Sequence, residues 1–198
     1  MRQIATSGYP CYPGHPLLPP VSDRFLPIVM PKTPEQLLDF LAELGIATRT
    51  FEHPPVYTVE ESKALRGKIA GAHCKSLFLK DKRDHLYLVV CLEHRRLDLK
   101  RLEPLIGAAR LSFGKAELLM ERLGVIPGSV TPFGLINDAA HLVQVVLDRE
   151  MMAIDPLNYH PLHNAATTQI SPADFRRFLA ATGHRAVEVD LTDYRPLD

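Results

Sequence analysis

Cys74-Lys75-Ser76-Leu77-Phe78-Leu79-Lys80-Asp81-Lys82-Arg83-Asp84-His85-Leu86-Tyr87-Leu88-Val89-Val90-Cys91-Leu92 holds two apolar runs separated by four charged residues. Runs rich in Leu, Val and aromatics read as strands, and a short polar break between them reads as a tight turn. The stretch therefore predicts a β-hairpin, Ser76 to Lys80 against His85 to Leu92, turning at Asp81 to Asp84.

Elements on either side set the fold class. Upstream, Thr33-Pro34-Glu35-Gln36 is a capping box with proline at the first helical position. Leu37, Leu38, Leu41 and Leu44 mark the face of the helix that follows, and Gly45 stops it. Ala47 to Glu52 reads as a strand. Thr58-Val59-Glu60-Glu61 is a second box, opening a short helix that ends at Gly67. Downstream, Leu97 to Leu105 and Lys115 to Leu123 read as helices. Leu142 to Asp148 and Met151 to Ile154 are expected to form another hairpin, around Arg149-Glu150. Ser171-Pro172-Ala173-Asp174 opens a last helix with the stripe Phe175, Phe178 and Leu179, and Val187 to Leu191 is a final strand. Hairpins mixed with helices, without regular βαβ alternation, predict a mixed α/β domain: an irregular, largely antiparallel sheet with helices packed on it.

Residues 1–29 read differently. Pro10, Pro13, Pro16, Pro19, Pro20 and Pro27 interrupt them and apolar periodicity is absent. Such density opposes regular structure, and the stretch lacks the basic start and apolar centre of a secretory signal. The expected organisation is a proline-rich extension, 1–29, and one domain, 30–198. Lys plus Arg and Asp plus Glu both number 23, so a constitutive nucleic-acid coat with a strongly basic face is excluded, although a local basic patch is not. No run of eighteen apolar residues exists, so no membrane span is expected. Three cysteines, Cys11, Cys74 and Cys91, fit a reduced cytoplasmic protein better than a disulfide scaffold.

The candidate chemistry is sparse. No GxGxxG, P-loop lysine or GxSxG is present. Asn158-Tyr159-His160-Pro161-Leu162-His163-Asn164 gathers imidazoles and carboxamides in what reads as a tight loop after an apolar scaffold, where binding and chemistry usually sit. His160 is either a structural imidazole bonded to a nearby carbonyl or part of a site. Lys75, at the mouth of a strand, is either solvated or a cation placed to meet a carbonyl oxygen or phosphate. His160 and His163 form an H-x-x-H pair, yet no C-x-x-C accompanies them and no metal is expected. Cys74 reads as a small buried thiol rather than a nucleophile. Gly124 to Gly134 is either a plain connector or a loop whose missing side chains let backbone N–H groups approach a ligand. Arg95 and Arg96 are a solvated pair or a phosphate contact.

Four pieces in this order, His53-Pro54-Pro55-Val56-Tyr57-Thr58, Cys74 to Asp81, Gly124 to Gly134 and Asn158 to Asn164, resemble the YbaK-type aminoacyl-tRNA editing domain. The tail, with Thr168, Ile170-Ser171, Phe178-Leu179 and Thr182-Gly183-His184, is similar to the free-standing prolyl-tRNA editing branch. The resemblance spans roughly residues 31–192. It implies a mixed α/β fold and hydrolysis of the ester joining a wrong amino acid to tRNA, in this branch usually alanine mischarged on tRNA(Pro). It places the family's lysine on Lys75, its glycine loop on Gly124 to Gly134 and its histidine on His160. Ser76 stands where many members carry asparagine.

The expectation that follows is a metal- and cofactor-free deacylase with Lys75 at the reacting carbonyl. His160, Ser76, Gly124, Gly128 and Asn158 would hold the substrate, and Lys63, Arg66, Lys68, Arg95 and Arg96 would meet the RNA. Its partners would be mischarged tRNA(Pro) and, transiently, prolyl-tRNA synthetase or an elongation factor, with neither DNA nor membrane. The alternatives are a deacylase for cysteinyl- or seryl-tRNA, or a non-catalytic module binding tRNA or a small ligand.

Overall fold

A computed structural model describes residues 30–55 and 69–192. The proline-rich extension, the second capping box with its short helix, and Lys63, Arg66 and Lys68 lie outside the described residues. The described elements are α1 (Pro34–Glu43), β1 (Arg49–Glu52), β2 (Ala72–Asp81), β3 (Leu86–Leu92), α2 (Leu99–Ile106), β4 (Leu111–Phe113), α3 (Ala116–Leu123), β5 (Val143–Asp148), β6 (Leu157–Tyr159), β7 (Ala166–Ile170), α4 (Pro172–Ala181) and β8 (Ala186–Val189).

The strands form one mixed sheet in the order β1-β7-β6-β2-β3-β5-β8, with β4 joined to the far half of β2. The hairpin forms as expected: β2 and β3 run antiparallel, with Cys74 opposite Leu92 and Lys80 opposite Leu86. All seven residues of β3 are buried, which is why that run is apolar without alternation. Leu88 and Val90 enter one core with Leu37, Leu41, Phe133, Phe175 and Phe178. Tyr87, Val89 and Cys91 enter a second core with Leu79 and Leu102 on the opposite face. The period-2 alternation of strand side chains separates the two. The capping box of α1 closes in both directions: Gln36 N–H donates to Thr33 Oγ1 at 3.3 Å and Thr33 N–H to Gln36 Oε1 at 3.0 Å.

The hairpin expected around Arg149-Glu150 does not form. Met151–Ala153 is a 3-10 turn with Met151 and Met152 buried. The reason lies in β5, which runs parallel to β3 on one edge and to β8 on the other. Neither edge is left for a returning strand. Asn158 and Tyr159, expected in a loop, are the end of β6. β7, with its buried–intermediate alternation over Ala166–Ile170, is a further strand, and β4 is another. The parallel pairs β2–β6, β3–β5 and β5–β8 make the sheet mixed. No helix among the described residues is long and apolar enough to cross a membrane.

Candidate active site

The site arises where the sheet opens. β2 pairs in parallel with β6 only at Ala72 and His73, and with β4 only from Leu79 to Asp81. Between these contacts β6 turns away from β2. A cavity of about 280 Å³ lies there, near the lower end of the range for small-ligand pockets.

Lys75, Ser76, Gly128, Asn158 and His160 all line this cavity. Two rigid supports bring them together. The hairpin fixes Lys75 and Ser76, because β3 beside them is wholly buried. An aromatic cluster fixes β6. The Tyr159 ring lies edge-on to Phe133 at 5.7 Å and tilted against Phe175 at 5.0 Å, so Tyr159 is locked into the core. Strand alternation then points its neighbour Asn158 the other way.

Lys75 is half-buried, and its Nζ donates to the backbone carbonyl of Arg95. An ammonium has three donors, so this bond fixes the stem and leaves two. The Arg95 carbonyl is itself held. Asp148, fully buried, accepts from Arg95 Nε at 3.1 Å, Glu150 N–H at 3.1 Å and Leu92 N–H at 3.4 Å. Arg95 Nη2 also bonds Glu150. Arg95 is thereby corrected as a phosphate contact: only 10% of its side chain is exposed and its guanidinium is engaged by two carboxylates. Arg96 is exposed.

His160 Nδ1 lies 3.0 Å from the Ala166 carbonyl, so it carries the proton. Burial lowers the His160 pKa below the ordinary imidazole value; the Ala166 bond opposes this, and the charges of His53 and His163 add to it. At neutral pH the ring is neutral and its Nε2 is an acceptor. His163 does not converge with it. His163 Nδ1 accepts from Ala165 N–H at 3.1 Å, and His163 lines a different surface depression. Asn158 is 4% exposed. Its Nδ2 donates to the carbonyls of Ala70 at 2.9 Å and Ala72 at 3.1 Å, which fixes the amide's orientation. Its Oδ1 is buried without a hydrogen-bond partner among the described residues. Such an orphan costs about 1–3 kcal/mol.

The two glycines named from the sequence separate. Gly128, at φ +88°, lines the cavity with open space where a Cβ would project. Gly124 does not line it. It is the left-handed C-cap of α3, and a Cβ there would come within 2.5 Å of Asn137 Nδ2 and 2.6 Å of Pro31. Its glycine is explained by the helix stop.

Sequence reasoning missed several lining residues: His53, His73, Glu93, Thr131 and Thr167. His73 was legible in principle, since it sits two residues before Lys75 on the same strand. His53 follows β1 and is tied to the adjoining strand β7, with Nε2 2.9 Å from Thr167 Oγ1. Cys74 also lines the cavity, but burial pushes its thiol up to about 12 and it donates to the Ala72 carbonyl at 3.4 Å. It is a protonated wall group, not a nucleophile.

The site thus joins a tethered cation, a neutral imidazole and a buried acceptor, beside a stretch of β2 that neither β6 nor β4 pairs. Such a set is chemically suited to holding a small polar group and to stabilising charge; among the described residues lining it there is no nucleophile–base pair. The model of the aminoacyl-tRNA editing domain matches residues 53–178. Prolyl-tRNA synthetase associated domain-containing protein 1 of Danio rerio is 41% identical over 155 residues, covering 77% of this chain and 84% of that protein. Prolyl-tRNA editing protein ProX of Acetoanaerobium sticklandii is 36% identical over 153 residues, covering 76% and 93%. A solved structure described as a candidate trans-editing enzyme for prolyl tRNA synthetase superposes with a TM-score of 0.60 at 20% identity, over 80% of this chain and 98% of that one, and shares its fold. By its sequence, the chain belongs to the aminoacyl-tRNA editing domain family.

Proposed function

We propose that this protein hydrolyses, in trans, the ester of an amino acid wrongly attached to tRNA(Pro), with alanine as its main substrate. The observation that carries the reading is the convergence of Lys75, Ser76, Gly128, Asn158 and His160 on one small cavity. The relatives whose names include prolyl-tRNA editing or prolyl-tRNA synthetase support tRNA(Pro) as the RNA.

In the reaction, a water oxygen adds to the ester carbon and the carbonyl electron pair moves onto oxygen. The intermediate collapses with cleavage of the bond to the ribose oxygen, which takes a proton; the products are a free amino acid and tRNA with a free terminal hydroxyl. Lys75 faces the developing oxyanion with the donors not used on Arg95. Preorganised donors of this kind are usually the largest single contribution to such catalysis. The ribose hydroxyl beside the ester orients the water, so that the protein contributes mainly position and electrostatics. Neutral His160 lines the amino-acid pocket, and Asn158 Oδ1 accepts from a donor on the substrate. Alanine is favoured over proline by size, since a pocket too small for the pyrrolidine ring rejects it by clash. Exposed cations such as Arg96 meet the RNA, giving modest, salt-sensitive affinity. Prolyl-tRNA synthetase is the transient partner this reading expects, and the cytoplasm its place of work.

The test is a deacylation panel of alanyl-, cysteinyl-, seryl- and prolyl-tRNA(Pro). Preferential release of alanine is expected. Preference for cysteine or serine would reassign the substrate, and binding without turnover would make the protein a carrier.

A further inference from the structure

The hydrogen-bonding sense of β2 can be followed residue by residue. Glu93 N–H donates to the His73 carbonyl at 2.9 Å, so His73 directs its main-chain groups toward β3. In an antiparallel ladder these directions alternate with every residue. Residues 73, 75, 77 and 79 therefore bond β3, and residues 72, 74, 76 and 78 point the other way. Two bonds on that other side agree: Ala72 N–H donates to the Pro156 carbonyl at 2.8 Å, and Gly114 N–H donates to the Phe78 carbonyl at 2.9 Å. Ser76 lies between these two points. β6 pairs with β2 no further than His73 and β4 begins at Leu79. No described strand pairs with Ser76 on this side, and Ser76 lines the cavity.

Resting on the ester-hydrolysis reading, we infer that the backbone N–H of Ser76 is a direct oxyanion donor, acting with the Lys75 ammonium on the ester carbonyl oxygen. A backbone N–H at half-buried depth needs a partner; no described strand supplies one to Ser76, and a ligand seated beside the cation does. The donor is fixed by the hairpin, so it needs no reorganisation as charge develops. It is also independent of the side chain at position 76, which explains how the site can function with a serine hydroxyl there. The acyl group then docks like one residue of an added antiparallel strand, a recognition mode that reads main-chain geometry and leaves side-chain selection to the walls.

The test replaces one atom pair. In full-length Ser76→Ala protein, alanine at position 76 is exchanged for lactic acid, which turns the N–H into an ester oxygen. Single-turnover hydrolysis of alanyl-tRNA(Pro) at saturating enzyme is compared between the amide and ester forms, so that any effect of the hydroxyl cancels. Loss of one oxyanion donor predicts a fall of about 10²–10³-fold. Ser76→Pro, which removes the same N–H at a strand edge where proline is tolerated, should show a fall of similar size. A backbone-ester protein within three-fold of its amide parent overturns the inference while leaving the hydrolase reading intact. An absence of hydrolysis by the unmodified protein overturns that reading and this inference with it.

Discussion

Replacing Lys75 with alanine separates chemistry from stability more cleanly than any other change in the site. The side chain is half-buried at the cavity, and its Nζ donates to the Arg95 carbonyl. That carbonyl stays where it is in the variant, because Arg95 N–H still bonds Leu92 O at 3.0 Å and the Asp148–Arg95 pair does not involve Lys75. Loss of one hydrogen bond costs about 1 kcal/mol. For a domain of this size a loss of 1 kcal/mol lowers Tm by roughly 2–4 °C. The effect on turnover is of another order. Removing one preorganised charge-stabilising donor costs about 2.7–4 kcal/mol of transition-state energy, or 10²–10³ in rate. The assay is single-turnover deacylation of alanyl-tRNA(Pro) alongside thermal melting of the same preparation. A variant that melts within a few degrees of the parent yet hydrolyses at near-parental rate would refute the placement of Lys75 at the reacting carbonyl.

His160→Ala should alter selection more than chemistry: a wider pocket admits proline, and the alanine-to-proline rate ratio should fall by about ten-fold or more in single-turnover assays on the same tRNA. The pH dependence of stability follows from the same residue. The folded-state pKa of His160 lies below its unfolded value, so the native state binds fewer protons; its contribution is present above the ordinary imidazole pKa and is lost as pH falls through the lowered one. Denaturant midpoints should therefore drop on acidification from pH 7 to 5, and His160→Gln should flatten that drop. Arg95→Ala strands the fully buried Asp148 and should cost about 3–5 kcal/mol in urea unfolding, whereas Arg96→Ala should leave the fold unchanged and reduce the salt slope of tRNA binding by about one.

How much of this was legible depended on what each residue's neighbours demanded of it. The β2–β3 hairpin was readable because β3 is buried on both faces and so tolerates only apolar side chains, from Leu86 to Leu92. α1 and α4 were readable because Thr33 and Ser171 perform their capping locally. The second hairpin failed because Met151-Met152-Ala153-Ile154 is apolar for burial in a turn, and four residues are too few for a period to tell a turn from a strand. β7 was missed because its sequence, Ala166-Thr167-Thr168-Gln169-Ile170, hides a strand pattern in polar residues. In the site, Lys75 and His160 could be nominated separately, but their meeting is a property of sheet order. Gly124 and Gly128 look alike in sequence, and only the contacts of Gly124 with Asn137 and Pro31 show that it closes a helix.

The sheet order also bears on why the candidate site lies where it does. A fully paired strand spends its N–H and C=O groups on its neighbours, and a fully open one is an aggregation edge. Here β2 is paired at both ends of the cavity-facing side, by β6 and by β4, and no described strand pairs with it between them. The opening is too short to template another strand, yet long enough to present the main chain of Ser76 to a ligand. Its position is set by Tyr159, whose burial against Phe133 and Phe175 fixes the end of β6. The chain then departs as His160, so the imidazole reaches the cavity at the point where the ladder stops. The cation comes from the other strand at the same level, since Lys75 immediately precedes Ser76. One divergence between two strands therefore delivers a main-chain donor, an ammonium and a neutral imidazole to the same small volume, and it does so with groups that the hairpin and the aromatic cluster already hold rigid.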